Sequence, residues 1–262
     1  MEDGIQHITI SKWINGKSQT IEDKVAIEAP LEIQIQKSGE QPISVSVTMR
    51  TPGDDEELAL GFLFTEAILA DYQQVKAVSY LGENIVKVHV ASDFQLNLAT
   101  TERNFYTSSS CGVCGKASIE AIHTHTHFKL QEPKPIANDV LFSLKEKLAE
   151  QQSLFSETGG IHAAALFSYA GELQLLREDV GRHNALDKLI GASLRTAKLP
   201  LADSILLLSG RASFELVQKA TMAGISTIVA VGAPSSLAVE LAQENGQQLI
   251  GFLKEMSYNK YA

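Results

Sequence analysis

The last sixty residues set the tightest limit on what this chain can fold into. Ile205-Leu206-Leu207-Leu208, Ile228-Val229-Ala230-Val231 and Leu249-Ile250-Gly251-Phe252 are short runs without a polar side chain. Between them lie two helix-like stretches, Phe214–Ala223 and Ser236–Glu244. Wholly apolar strands are covered on both faces, and their alternation with helices predicts βαβ units and a parallel sheet. Ligands of such sheets sit beyond the carboxyl ends of the strands. Those ends are Ser209-Gly210-Arg211, Gly232-Ala233-Pro234 and Phe252-Leu253-Lys254. A binding site built from these three segments is therefore expected on geometry alone.

Upstream, Val140, Leu141, Leu144 and Leu148 mark a helix, and Ala163–Tyr169 with Leu173–Arg177 reads as a hairpin turning at Ala170-Gly171. Arg182–Leu194 follows as a helix. The first half has a different texture. Ile33-Gln34-Ile35, Ile43–Val47 and Ile85–Val90 alternate apolar with polar, the period of half-buried strands. Asp54-Asp55-Glu56-Glu57 precedes Leu58, Phe62, Leu63 and Ile68 at helical spacing. Acidic residues in a first turn complement the helix dipole and Asp54 can cap it, so helix-start chemistry is preferred there over a metal site. A boundary is expected near residue 130, where Pro133 and Pro135 disfavour helix. This gives a β-rich N-terminal domain, 1–130, ending in a cysteine loop and the helix after it, and an α/β domain, 131–262. The fold class is α/β by its second half and α+β overall.

Composition excludes several functions. The chain carries 22 Lys+Arg against 31 Asp+Glu, a formal charge of −9, and its pI is about 5.3. Such a chain is no general nucleic-acid binder. The acid is concentrated in residues 1–130, with 10 Lys+Arg against 17 Asp+Glu; residues 131–262 hold 12 against 14. Arg182, Arg211 and Lys254 thus act in a nearly neutral half. No apolar run approaches the ~20 residues that span a bilayer, so no membrane association is expected. The acidic start Met1-Glu2-Asp3-Gly4 does not look like a signal peptide. With only 2 Cys, a reducing cytoplasm is the expected location.

Those cysteines, Cys111 and Cys114, sit in Thr107-Ser-Ser-Ser-Cys-Gly-Val-Cys-Gly-Lys116, a run of small and hydroxyl residues. A helix is expected to start at Lys116. A thiol near a helix N-terminus and a lysine is biased toward thiolate, hence toward nucleophilicity. Redox disulfide, half of a metal site and sulfur carrier all remain open for this loop. His123, His125 and His127 complete a C-x2-C-x8-H-x3-H pattern. Its central spacing falls short of the roughly 12 residues of a zinc finger, and no metal is expected. The alternatives kept open are a Cys/His zinc-binding interaction module and a thiol–disulfide oxidoreductase.

Three other segments look like site material. Glu157-Thr-Gly-Gly-Ile-His162 places a glycine pair before a histidine that is either a ligand or a structural residue. Glu178–Lys188 packs polar residues into a helix start; Asp179 can cap, but Arg182, His183 and Asn184 exceed what a cap needs. Ser209-Gly-Arg-Ala-Ser213 joins a glycine, a guanidinium and a helix N-terminus, which suits phosphate.

Taken in order, these strings resemble the FdhD sulfurtransferases, which are required to make formate dehydrogenase active. The resemblance is carried by Arg50-Thr-Pro-Gly53, Glu57–Leu63, Cys111–Lys116, Thr158–His162, Glu178–Lys188 and Ser209–Glu215. It implies a sulfur carrier that accepts sulfur from a cysteine desulfurase as a persulfide on Cys111, with Cys114 as helper. The sulfur would pass to the molybdenum cofactor, bis-molybdopterin guanine dinucleotide, before its insertion into formate dehydrogenase. It also implies a cytidine-deaminase-like second half and a homodimer. The guanine-dinucleotide contact maps to Phe252, Leu253, Lys254, Glu255, Met256 and Ser257, with Arg182, His183 and Arg211 as further candidates. Glu255 and Met256 depart from the family pattern, which is more basic and glycine-containing there. Deamination is excluded chemically: alanine follows His162 where a zinc deaminase needs H-x-E, and no cysteine follows Cys114.

Overall fold

A computed structural model describes residues 4–95 and 128–262. Cys111, Cys114, the helix expected from Lys116, and His123, His125 and His127 lie outside the described residues.

The chain begins with a two-stranded antiparallel hairpin, β1 (Ile5–Ile14) and β2 (Lys17–Ala26). A four-stranded sheet follows from β3 (Ala29–Lys37), β4 (Ile43–Arg50), β5 (Val75–Tyr80) and β6 (Ile85–Val90), in the order β4-β3-β6-β5. The period-2 pattern decides its orientation: Leu31, Ile33 and Ile35 of β3 and Val86, Val88 and Val90 of β6 are buried on one face. That face packs on helix α1 (Asp55–Thr65) through Leu58, Leu63 and Phe64.

After residue 130 come α2 (Asn138–Gln151), the short α3 (Ser153–Thr158), the hairpin β7 (His162–Ser168) and β8 (Leu173–Asp179), and α4 (Arg182–Arg195). The alternating pattern then appears as β9 (Ser204–Leu208), α5 (Phe214–Met222), β10 (Thr227–Ala230), α6 (Ser236–Glu244) and β11 (Gln248–Gly251), with β12 (Asn259–Lys260) last. The six strands order as β12-β11-β10-β9-β7-β8. β9, β10 and β11 are parallel, as expected; β7, β8 and β12 run antiparallel to their neighbours, so the sheet is mixed. Its two faces are covered differently. Leu141, Leu144 and Leu148 of α2 pack on Ala165, Leu207 and Val229, each such leucine stabilising the fold by about 1.5–3 kcal/mol. The opposite face, with Leu166, Leu206 and Ile228, meets α4, α5 and α6 in a core continuous with that of the N-terminal half.

That continuity passes through the crossing of α1 and α4. A Cβ added to Gly61 would lie 1.8 Å from the Asp187 carbonyl oxygen, and one added to Gly191 1.8 Å from the Glu57 carbonyl oxygen. The two helix backbones touch, which only glycine on both sides allows. The strands on either side of residue 130 stay in separate sheets, while the apolar core spans both halves.

Two local expectations need correction. Asp54 stands at the helix start with φ 56 and makes no side-chain cap bond, because its left-handed backbone turns the carboxylate away from the first N–H groups. It faces Arg177 instead, at 3.4 Å. Ile68 falls beyond the helix: Ala67 turns at φ 55, and the Ile68 and Leu69 N–H groups both donate to the Leu63 carbonyl. Its burial comes from the core rather than from helical register.

Candidate functional site

The carboxyl edge of the parallel strands gathers the candidate residues. β9 runs into Ser209-Gly210-Arg211, β10 into Gly232-Ala233-Pro234, and β11 into Phe252. Because β7 is antiparallel to β9, its first residue, His162, lies at that same edge. The turn from β8 into α4 brings Arg182 and His183 there too. Main-chain bonds lock the ends together: Ser209 N–H donates to the Ala163 carbonyl, Gly232 N–H to Gly210, and Phe252 N–H to Gly232. Close packing explains Gly210, since a Cβ there would lie 3.2 Å from His162 Nδ1.

The electrostatics of the edge are cationic. The half-buried His162 imidazole is held below its ordinary value by burial first, then by Arg182, His183 and Arg211, with Asp179 opposing. It is neutral near pH 7. His183 Nε2 lies 2.8 Å from Glu215 Oε2 and 3.3 Å from Ser213 Oγ. Burial pushes the Glu215 carboxyl up, but His183, Lys219 and Arg182 outweigh it, and the group sits below the usual value. Arg182 keeps its buried Nε without a hydrogen-bond partner among the described residues, and Arg211 is exposed. These groups can hold an anion such as a phosphate. Phe252, Lys254, Glu255, Met256 and Ser257 are also exposed. Phe252 has φ 53, a strained conformation for a bulky side chain and one that clusters at ligand sites. Leu253 differs: it is wholly buried in the core beneath α2, so its side chain does not face the edge.

Most of the polar segment Glu178–Lys188 serves the fold. The buried Asp179 Oδ2 takes the Lys188 ammonium at 2.8 Å and the Thr51 N–H at 3.1 Å. Lys188 also donates to the Thr51 carbonyl, and Asn184 Nδ2 to the Met49 carbonyl. Asp187 is clasped by Lys219 and by Thr65 Oγ1. Asp179 does not cap α4; the cap position is Gly181, whose N–H bonds to Asp179 Oδ1 at 2.8 Å. Glu178 instead receives the Leu154 and Phe155 N–H groups at the start of α3. The signal for this role lay in the sequence: Thr51, Asp179 and Lys188 belong to polar strings on both sides of residue 130 and bind one another across it. The acidic first turn of α1 is likewise structural, with Arg50 on Asp55 and Arg177 and Arg195 on Glu57. Among the described residues no group of three or more His, Cys, Asp or Glu side chains could hold a metal ion.

Against this geometry, a family model described as "FdhD/NarQ family" matches residues 26–262. The chain belongs to the FdhD/NarQ family. Relatives named sulfur carrier protein FdhD extend over nearly the whole chain. That of Streptomyces coelicolor is 47% identical over 259 residues, covering 95% of this chain and 90% of its own length. That of Mycobacterium tuberculosis is 45% identical over 270 residues, at 98% and 94%. An archaeal FdhD, from Sulfolobus acidocaldarius, is 40% identical over 257 residues, at 98% and 96%. A crystal structure described as a candidate formate dehydrogenase accessory protein from Desulfotalea psychrophila has a TM-score of 0.76 at 22% identity. It covers 98% of this chain and 96% of that one, and bears on the fold alone. Within the FdhD/NarQ match lie both the carboxyl edge and the Cys-x-x-Cys pair Cys111 and Cys114. No helix among the described residues is long and apolar enough to cross a membrane.

Proposed function

We propose that this chain is a cytoplasmic sulfur carrier for the maturation of formate dehydrogenase. The observation that carries the reading is the family match over residues 26–262, which includes Cys111 and Cys114 and joins the chain to relatives named sulfur carrier protein FdhD. In this mechanism the Cys111 thiolate attacks the outer sulfur of a cysteine desulfurase persulfide. The donor's cysteine thiolate leaves, and Cys111 holds the sulfur as a new persulfide. Cys114 assists.

The acceptor is the molybdenum cofactor in its bis-guanine-dinucleotide form, bound as substrate at the carboxyl edge. Its phosphates suit Arg182, Arg211 and Lys254, while the exposed Phe252 offers a ring to a base. His162, neutral in its cationic setting, adds polarity without adding charge. The resemblance carries a homodimer with it, which light scattering checks.

Two variants separate this mechanism from a thiol–disulfide oxidoreductase. With Cys111→Ala, formate dehydrogenase produced in cells relying on this chain loses its activity, while Cys114→Ser retains a measurable part. Equal, complete loss in both variants would favour the disulfide mechanism. A zinc-binding module would instead retain stoichiometric metal through purification and unfold with a chelator.

A further inference from the structure

Among the described residues the N-terminal hairpin stands apart from both larger sheets. β1 and β2 pair only with each other, over ten residue pairs from Ile5 with Ala26 to Ile14 with Lys17. The root of the hairpin is fixed to the body. Ile27 N–H donates to the Gly4 carbonyl, a Cβ on Gly4 would lie 3.0 Å from Thr51 and 3.3 Å from Leu154, and Lys24 pairs with Glu157 of α3. Beyond that root every residue from 11 to 20 is exposed. The outer half of the ribbon is thus an arm about 15 Å long, at roughly 3.4 Å per residue.

Local chemistry holds the arm in shape. Asn15 and Gly16 have positive φ, 50 and 77, as the tight hairpin turn that matches strand twist requires. Ile10 faces Ile21 across the strands, and Thr9 Oγ1 donates to Glu22 Oε1 at 2.7 Å. At the tip stands Trp13, the chain's single tryptophan, 72% exposed, followed by Ile14, 43% exposed. A ring so exposed adds little packing to the chain itself, and its apolar area becomes favourable only when a second surface covers it. Successive strand residues point to opposite faces, so the tip is apolar on both sides and suits a cleft better than a flat surface. Its charge is a second observation. Residues 11–18 hold Lys12 and Lys17 and no Asp or Glu, on a chain of net charge −9. The complement of such a tip is acidic; two basic tips repel each other.

We propose that the arm is a docking element whose tip seats in an apolar cleft with an acidic rim on the protein that receives the cofactor. Trp13 and Ile14 fill the cleft, and Lys12 and Lys17 meet the carboxylates around it. The root of the arm favours the receiving protein as occupant. Its anchor α3 ends at Thr158, and the chain then runs through Gly159-Gly160 to His162 at the carboxyl edge, a span of at most about 15 Å. A partner gripping the arm is therefore held near the edge from which the cofactor leaves. The inference rests on the proposed function, in which that partner is formate dehydrogenase.

The test uses the full chain labelled with fluorotryptophan and purified formate dehydrogenase lacking its cofactor. With a single tryptophan, the one fluorine resonance reports on the tip itself. Adding the apoenzyme is expected to shift or broaden it, and raising the concentration of the chain alone to leave it unchanged. By calorimetry, Trp13→Ser is expected to weaken binding of the apoenzyme at least about ten-fold. Lys12→Glu combined with Lys17→Glu should do the same and flatten the salt dependence. Both variants should keep the wild-type thermal midpoint, since the replaced side chains are exposed. An unmoved resonance, or affinity unchanged in either variant, would overturn the inference. A resonance that moves with the concentration of the chain alone would overturn it too, by making a second copy the occupant. Sulfur loading of Cys111, read by intact mass on the same preparations, tests the proposed function separately. A chain that loads sulfur without docking refutes the arm alone; one that docks without loading refutes the carrier and leaves the arm.

Discussion

His162 shows how neighbours rather than residue type set the chemistry at the carboxyl edge. Read along the chain, a structural role was preferred to a ligand role, and sequence shows neither burial nor the charges of residues far away. The fold places it beside Arg182, His183 and Arg211, and burial together with these charges favours the neutral ring. Its NMR titration is therefore expected to have a midpoint below 6.5, with Arg182→Gln or Arg211→Gln moving it upward. The linkage has a definite sign. A depressed histidine contributes stability that is complete above about pH 6.5 and is lost as pH falls through the folded-state value. Thermal midpoints measured downward from pH 7 should thus decline less in His162→Asn than in the wild type. A midpoint at or above 6.5 would remove the cationic edge from the account. Gln152 marks the opposite case. Its buried Nε2 has no hydrogen-bond partner among the described residues, a property of the folded chain that its position at the end of an amphipathic helix does not show.

Among the elements, periodicity made most of the molecule legible. The runs at Ile205, Ile228 and Leu249 became β9, β10 and β11, and the three segments expected at their carboxyl ends do converge. What periodicity does not encode is partner choice: the β7–β8 hairpin was legible, but its antiparallel seat on β9 and that of β12 on β11 were out of reach. The crossing of α1 and α4 belongs to the same class. Gly61 and Gly191 each sit inside a helix, where glycine is disfavoured by about 1 kcal/mol against alanine, and only their contact across 130 residues of sequence explains them. Gly191→Ala should therefore act against propensity. Denaturant unfolding is expected to show a loss of about 3 kcal/mol or more, since a Cβ at 1.8 Å from a carbonyl oxygen forces the helices apart. A stability gain, as for an exposed helix glycine, would refute the backbone contact.

At the scale of the whole molecule, buried polar groups join the two halves, with Asp187 and Lys219 of the second both bonded to Thr65 of the first. Lys219 is enclosed against Asp187 at 2.8 Å; burial opposes its charge, but Asp187, Glu66 and Glu215 together outweigh burial and hold the ammonium charged. Lys219→Met leaves Asp187 without its main counter-charge and is expected to lose about 3–5 kcal/mol. Adding Asp187→Leu should recover much of that loss, and a double variant as unstable as the single would show that the pair is not the cause. Such a frame explains why the long polar strings are tied to structure as much as to chemistry: Glu178–Lys188 holds the halves together through Asp179, Asn184 and Lys188 and places Arg182 and His183 at the carboxyl edge. The frame fixes one end of the proposed sulfur path, the cationic edge. The other end is the thiol of Cys111, and the measurement that bears on it most directly is the intact mass of the chain after incubation with a cysteine desulfurase and cysteine. The wild type should gain the mass of at least one sulfur atom, removable by a thiol reductant, and Cys111→Ala should gain none. A wild type without added sulfur, or an addition that persists in Cys111→Ala, would contradict the carrier mechanism.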